Sequence, residues 1–141
     1  MHSLIYCSRE SSKMSEDKLM ALLKKARQKN EGCNVTGMLL YRNGFFLQCL
    51  EGAYDDIKNI FSNIMMDNRH KMITILFNDK IEKRIFPQWT MDFIKEEDLN
   101  SEIIENLKKF DFSNPVNSQE ESFDLIKKFM FVRSAKNQQA A

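Results

Sequence analysis

Gln48 lies in the most apolar stretch of the chain, Phe45-Phe46-Leu47-Gln48-Cys49-Leu50-Glu51-Gly52, where every neighbour argues for a buried strand. A buried primary amide has two donor hydrogens and an acceptor oxygen to satisfy, and leaving them unpaired costs about 1–3 kcal/mol. Something must bond it. Other chemistry-bearing residues stand at positions that can share a surface with it: the phenol of Tyr6, the amide of Asn30, and the indole and thioether of Trp89 and Met91. Each also has a plainer role, Tyr6 as a core tyrosine with its hydroxyl at the rim, Asn30 as a helix C-cap, and Trp89 and Met91 as core. What is left is a redox-capable phenol beside an amide that can exchange hydrogen bonds.

The hydrophobic period shows which elements must carry these groups. Ser3 to Ser8 alternates, with Leu4 and Tyr6 on one face of a short strand. Ser15 offers an N-cap and Glu16 and Asp17 suit the positive end of a helix dipole. Leu19, Leu22, Leu23 and Ala26 follow at i, i+3, i+4 and i+7, with Asn30 one turn further on the same stripe and a stop near Gly32. Val35 to Tyr41 and Phe45 to Gly52 read as strands paired through Asn43-Gly44, the dipeptide best suited to a type I′ hairpin. Ile57, Ile60, Phe61, Ile64 and Met65 define a second helix, Met72 to Phe77 a fourth strand, and Arg84 to Ile94 a fifth, with Pro87 marking an edge or bulge.

This order predicts an α+β fold, a ferredoxin-like βαββαββ mixed sheet with two helices on one face, plus a C-terminal two-helix extension. Leu99, Ile103, Ile104 and Leu107 mark the first extra helix, and Asn114-Pro115 a break. Ser118 with Glu121 opens a broadly apolar last helix running to Val132. These helices cover either the open face of the sheet or another chain, and the width of the last one points to a partner or self-association surface. The expected organisation is residues 1–96 as one domain, 97–133 as the helical extension, and 134–141 as a frayed tail. All four glycines fall between positions 32 and 52, and Gly37 sits inside a strand, which calls for a bulge or for a flat ligand close to the backbone.

Composition narrows the function classes. With 141 residues, 21 basic against 20 acidic side chains and a net charge of +1, the chain has no global field to recruit nucleic acid or an anionic membrane. Cys7, Cys33 and Cys49 lack metal-ligand spacing, so no metal site is readable. No glycine-rich phosphate loop or dinucleotide fingerprint is present. Without a signal peptide or an apolar run of ~20 residues, a soluble cytoplasmic protein is expected.

The chain resembles the BLUF domains, sensors of blue light using FAD, in five separated motifs: Leu4-Ile5-Tyr6-Cys7-Ser8, Asn34 to Tyr41, Phe45 to Gly52, Asp67-Asn68-Arg69-His70, and Arg84 to Met91. A phenol beside a buried amide suits an isoalloxazine ring, whose carbonyls and nitrogens can bond the amide. The resemblance implies FAD as cofactor, with FMN or riboflavin as variants. It also implies that Tyr6, Asn30, Gln48, Arg69 and His70 contact it, and that Tyr6, Gln48, Trp89 and Met91 are the photoactive group. Tyr6 is then the electron and proton donor, Gln48 the amide that rotates or tautomerises, and Trp89 and Met91 the pair that carries the signal. The expected product is a non-enzymatic photoreceptor that acts on a downstream signalling protein and forms homo-oligomers. A flavin-dependent oxidoreductase and a light-independent ferredoxin-like adaptor are the alternatives. An acylphosphatase-type hydrolase fits poorly, because Arg9 is followed by Glu10 where a phosphate-cradling loop is needed.

Overall fold

The computed structural model of the chain describes residues 1–88, 90–109 and 119–140. Its elements are β1 (His2–Glu10), α1 (Glu16–Gly32), β2 (Thr36–Arg42), β3 (Phe45–Gly52), α2 (Tyr54–Met66), β4 (His70–Lys80), β5 (Asp92–Ile94), a 3₁₀ turn at Glu96–Asp98, α3 (Ser101–Lys109) and α4 (Gln119–Ala140). The sheet order is β4-β1-β3-β2-β5. Neighbours are antiparallel except β2 and β5, which run parallel, so the sheet is mixed. This is the ferredoxin-like arrangement with one added strand. Trp89, the Asn114-Pro115 break and Ser118 lie outside the described residues.

Local signals act where expected. Ser15 Oγ accepts from Lys18 N at 3.2 Å and starts α1. Asn43 and Gly44 take φ of 52° and 80°, the two positive values a type I′ turn needs, and Arg42 pairs Phe45 across it.

The central strands are buried on both faces, which is why they read as near-continuous apolar runs. On one face α1 and α2 pack Leu19, Leu23, Ile57, Ile60 and Phe61 against Leu4, Tyr6, Leu39, Phe46 and Leu50. On the other, α3 and α4 pack Ile103, Leu107, Leu125, Ile126 and Phe129 against Ile5, Cys7, Met38, Leu40, Leu47 and Cys49. The C-terminal helices therefore cover the open face of their own sheet, and as far as Phe129 the buried apolar residues of the last helix are spent in the core. Burial of each such side chain stabilises by about 1.5–3 kcal/mol, while a whole domain holds about 5–15 kcal/mol. A chain ending at Lys95 should thus expose this face and aggregate. Light scattering checks this, and a monodisperse, cooperatively folding fragment would refute it.

Three departures from the sequence reading have identifiable causes. The fifth strand is confined to Asp92–Ile94, whereas the apolar pattern extended it back to Arg84. The backbone donors of Ile85 and Phe86 go instead to the two carboxylate oxygens of Glu51, at 2.7 and 2.8 Å. Arg84 bonds the Thr36 hydroxyl and the carbonyls of Glu51 and Asn34, at 2.7, 2.8 and 2.8 Å. A side-chain clamp replaces the ladder. Gly37 is explained by neither a bulge nor a ligand: the β2–β3 register is unbroken, and a Cβ there would lie 1.8 Å from the Cys49 carbonyl oxygen. Finally, α4 continues as helix to Ala140 in place of a frayed tail, since no glycine or proline interrupts Val132 to Ala140.

Candidate functional site

The register of β1 on β3 sets Tyr6 directly opposite Gln48. Both are buried, on the face that packs against α1 and α2. Burial, with the Asp67 carboxylate adding to it, drives the Tyr6 phenol well above its ordinary value of 10.0 and keeps the proton on Oη. Tyr6 Oη therefore donates to Gln48 Oε1. That bond orients the amide: Gln48 Nε2 points the other way and donates to Met91 Sδ at 3.4 Å. The phenol ring stacks on Phe61 with centroids 5.3 Å apart, which fixes its plane. Met91 is itself buried, so a continuous polar chain runs Tyr6–Gln48–Met91 through an otherwise apolar layer.

A cavity of about 380 Å³ opens beside this chain, between α1 and α2. Leu22, Ala26, Ile60, Ile64, Leu39 and Phe46 form its apolar walls, Tyr6 and Gln48 its inner polar end. Asn30, buried in the last turn of α1, lines it too. The backbone carbonyl of Asn30 accepts from Val35 N at 2.9 Å and closes the helix, while its side chain donates to the Thr90 carbonyl at 3.2 Å. It is both a helix terminator and a site residue. Around the exposed rim stand Lys25, Lys29, Asn63 and Arg69. Arg69 is paired with Asp67 at 2.5 Å, and that pairing holds the Asp67 carboxyl below its ordinary range. His70 Nε2 lies 2.6 Å from the Ile64 carbonyl, which can only accept, so Nε2 carries the proton and Nδ1 faces the Ser8 hydroxyl at 2.7 Å.

The structure thus brings Tyr6, Asn30, Gln48, Arg69 and His70 around one cavity and ties Met91 to it through Gln48. The sequence reading passed over Lys25 and Lys29, although each precedes a stripe residue, Ala26 and Asn30, by one position. It also passed over Glu51. The signal was present, an acid closing an apolar strand, but alternation sends it to the face away from Gln48. Among the described residues no cluster of His, Cys, Asp and Glu could hold a metal ion, and no helix is long and apolar enough to cross a membrane.

Two helices over one face of the sheet enclose an apolar cavity with a buried phenol and amide at its inner end. Residues 1–92 match the family described as sensors of blue-light using FAD, and the chain belongs to that family, BLUF. Its sequence is 35% identical over 96 residues to the photoactivated adenylate cyclase subunit beta of Euglena gracilis, covering 67% of this chain and 11% of that protein. The chain thus spans about a tenth of the length of the curated relatives it matches. Among solved structures it is similar over nearly the whole length to BlrB, a BLUF protein in its dark state, at 26% identity and TM-score 0.78, covering 94% of this chain and 96% of that one. It is likewise similar to photo-activated BlsA, at 25% identity and TM-score 0.79, covering 92% and 94%.

The residues present fit a flavin. The cavity is within the roughly 300–1,000 Å³ of cofactor sites, with apolar walls and few polar groups. Three side-chain amides, of Asn30, Gln48 and Asn63, line it, and the rim cations Lys25, Lys29 and Arg69 outnumber Asp67, which suits a phosphate-bearing tail.

Proposed function

We propose that Tyr6, Gln48 and Met91 form the light-responsive hydrogen-bond chain of this photoreceptor, with Trp89 on the same segment as Met91. Asn30, Arg69 and His70, together with Tyr6 and Gln48, hold the flavin. The observation that carries this reading is the oriented amide: Gln48 accepts from Tyr6 at one end and donates to Met91 Sδ at the other. When bound, the flavin supplies blue-light absorption and an oxidising excited state. Tyr6 is the residue able to give up an electron, with its Oη proton passing to Gln48 Oε1. Gln48 would take that proton at Oε1 and pass one on from Nε2 to the bound flavin, which would also hold the Tyr6 electron, or rotate about its side chain. Either change exchanges its donor and acceptor ends. The apolar walls exclude water, so the exchange persists until the amide returns.

The change leaves the site through Met91, because Met91 is followed immediately by β5 and the 3₁₀ turn. The output is a light-dependent contact with a downstream signalling protein and not an activity of this chain, in the cytoplasm and in a homo-oligomer. Exposed Met66, Met72 and Ile75 offer apolar area for a second copy. The test is a visible spectrum of the purified protein before and after blue light, combined with hydrogen exchange. A yellow protein with a small reversible red shift, and changed protection over residues 84–98, is expected. A colourless protein that fails to take up FAD, or equal protection of that segment in both states, would count against the reading.

A further inference from the structure

Between the end of β4 at Lys80 and the start of β5 at Asp92 the chain leaves the sheet ladder, and side chains bond its backbone at Ile85 and Phe86 and again at Thr90 and Met91. Glu51 takes the Ile85 and Phe86 N–H groups at one end. At the other end, Asn30 donates to the Thr90 carbonyl and Arg27 Nε donates to the Met91 carbonyl at 2.9 Å. Met91 is therefore gripped twice, its carbonyl by α1 and its sulfur by Gln48 on β3. Arg27 is an exposed residue outside the cavity lining.

The geometry points to Arg27 as the positioning residue that keeps the Met91 sulfur within reach of the Gln48 amide, and so as a determinant of how fast the lit state returns to the dark. This rests on the reading of Tyr6–Gln48–Met91 as the light-responsive chain. A side-chain thioether is a weak acceptor and cannot hold its own position. Sulfur follows backbone, and the backbone carbonyl of Met91 is bonded by a charged, planar donor whose direction is set by the guanidinium. The N–H of Arg27 thus favours the arrangement in which Gln48 Nε2 faces Sδ. When the amide is exchanged or rotated, that contact is lost, and return requires Met91 to be waiting in place. Removing the Arg27 bond loosens the Met91 backbone within its packing, disfavours the returning arrangement, and slows the return.

Dark recovery after a blue pulse, followed by absorbance in the flavin-loaded protein, tests this. Arg27→Ala should slow recovery about threefold to tenfold, in line with the loss of one hydrogen bond to a charged group at an exposed site. Flavin content and the size of the red shift should stay as in the parent. Arg27→Lys, which keeps a donor without the planar fork, should recover at an intermediate rate. On a Met91→Leu background, Arg27→Ala should change recovery no further, because the group it positions is gone. Recovery within about twofold of the parent, or an equal slowing with and without Met91, would overturn the assignment. Failure of the underlying reading has a different signature: Gln48→Leu with Arg27 intact would keep the normal shift.

Discussion

Gln48→Leu and Tyr6→Phe proteins are each expected to purify yellow, with flavin bound, and to give no red shift under blue light. The two substitutions break the same bond from opposite sides. Tyr6→Phe deletes Oη, so Gln48 Oε1 loses its donor, but the ring that stacks on Phe61 at 5.3 Å remains and packing is little changed. Gln48→Leu removes both ends of the amide while keeping an apolar side chain of similar size in β3. It leaves the buried Tyr6 hydroxyl without an acceptor, a penalty of about 1–3 kcal/mol that a domain with about 5–15 kcal/mol of stability survives. The walls formed by Leu22, Ala26, Ile60 and Ile64 and the amide of Asn30 are untouched, which is why binding should persist. Difference spectra before and after illumination decide the matter. A normal shift with normal recovery in Gln48→Leu would mean that the oriented amide is not the element that responds to light.

Substituting Glu51 should bring the largest loss of stability among single changes on the far face of the sheet. Its carboxylate is buried and is the acceptor for the Ile85 and Phe86 N–H groups at 2.7 and 2.8 Å. Glu51→Ala leaves the buried Phe86 donor without a partner, at about 1–3 kcal/mol, removes that of the half-buried Ile85 donor at a smaller cost, and adds a cavity. Glu51→Gln keeps an acceptor for one donor and turns an N–H₂ on the other, so its loss should be smaller. Denaturant midpoints measure both, and an unchanged midpoint for Glu51→Ala would show that the segment from Arg84 is held by something else. The pH dependence has a definite sign. Desolvation raises the Glu51 pKa above its ordinary 4.5, outweighing the lowering pull of the Ile85 and Phe86 N–H groups and of Arg84. Between 4.5 and that raised value the folded state holds a proton that the unfolded chain has released. The stability that Glu51 contributes is full below 4.5 and is lost as pH rises through its folded value. In Glu51→Gln this slope should vanish.

Much of the architecture was legible along the chain because it follows from local periods. A spacing of 3.6 laid Leu19, Leu23 and Asn30 on one side of α1, and all three are buried. A spacing of 2 set Tyr6 and Gln48 each on the face of its strand that meets the helices, and Asn43-Gly44 specified its own turn geometry. The same residues carried the family motifs, so the site and the fold were read from one set of positions. The overlong fifth strand arose from the same method: Arg84 to Met91 has strand-like apolar content, but period says nothing about where backbone donors find acceptors.

What only the tertiary structure decided depends on bonds between distant segments. The Tyr6–Gln48 bond spans 42 residues and exists because β1 pairs β3 in one register; a slip by one would turn either side chain to the other face. The Glu51 bond to Phe86 N spans 35 residues and takes the donors that a longer β5 would have used. The choice of sheet face by α3 and α4 was equally open in sequence, since an amphipathic stripe specifies that it must be covered and not by what. Here their own sheet supplied the cover, with Ile126 and Phe129 fully enclosed against it, because the face opposite α1 and α2 had no other way to leave water.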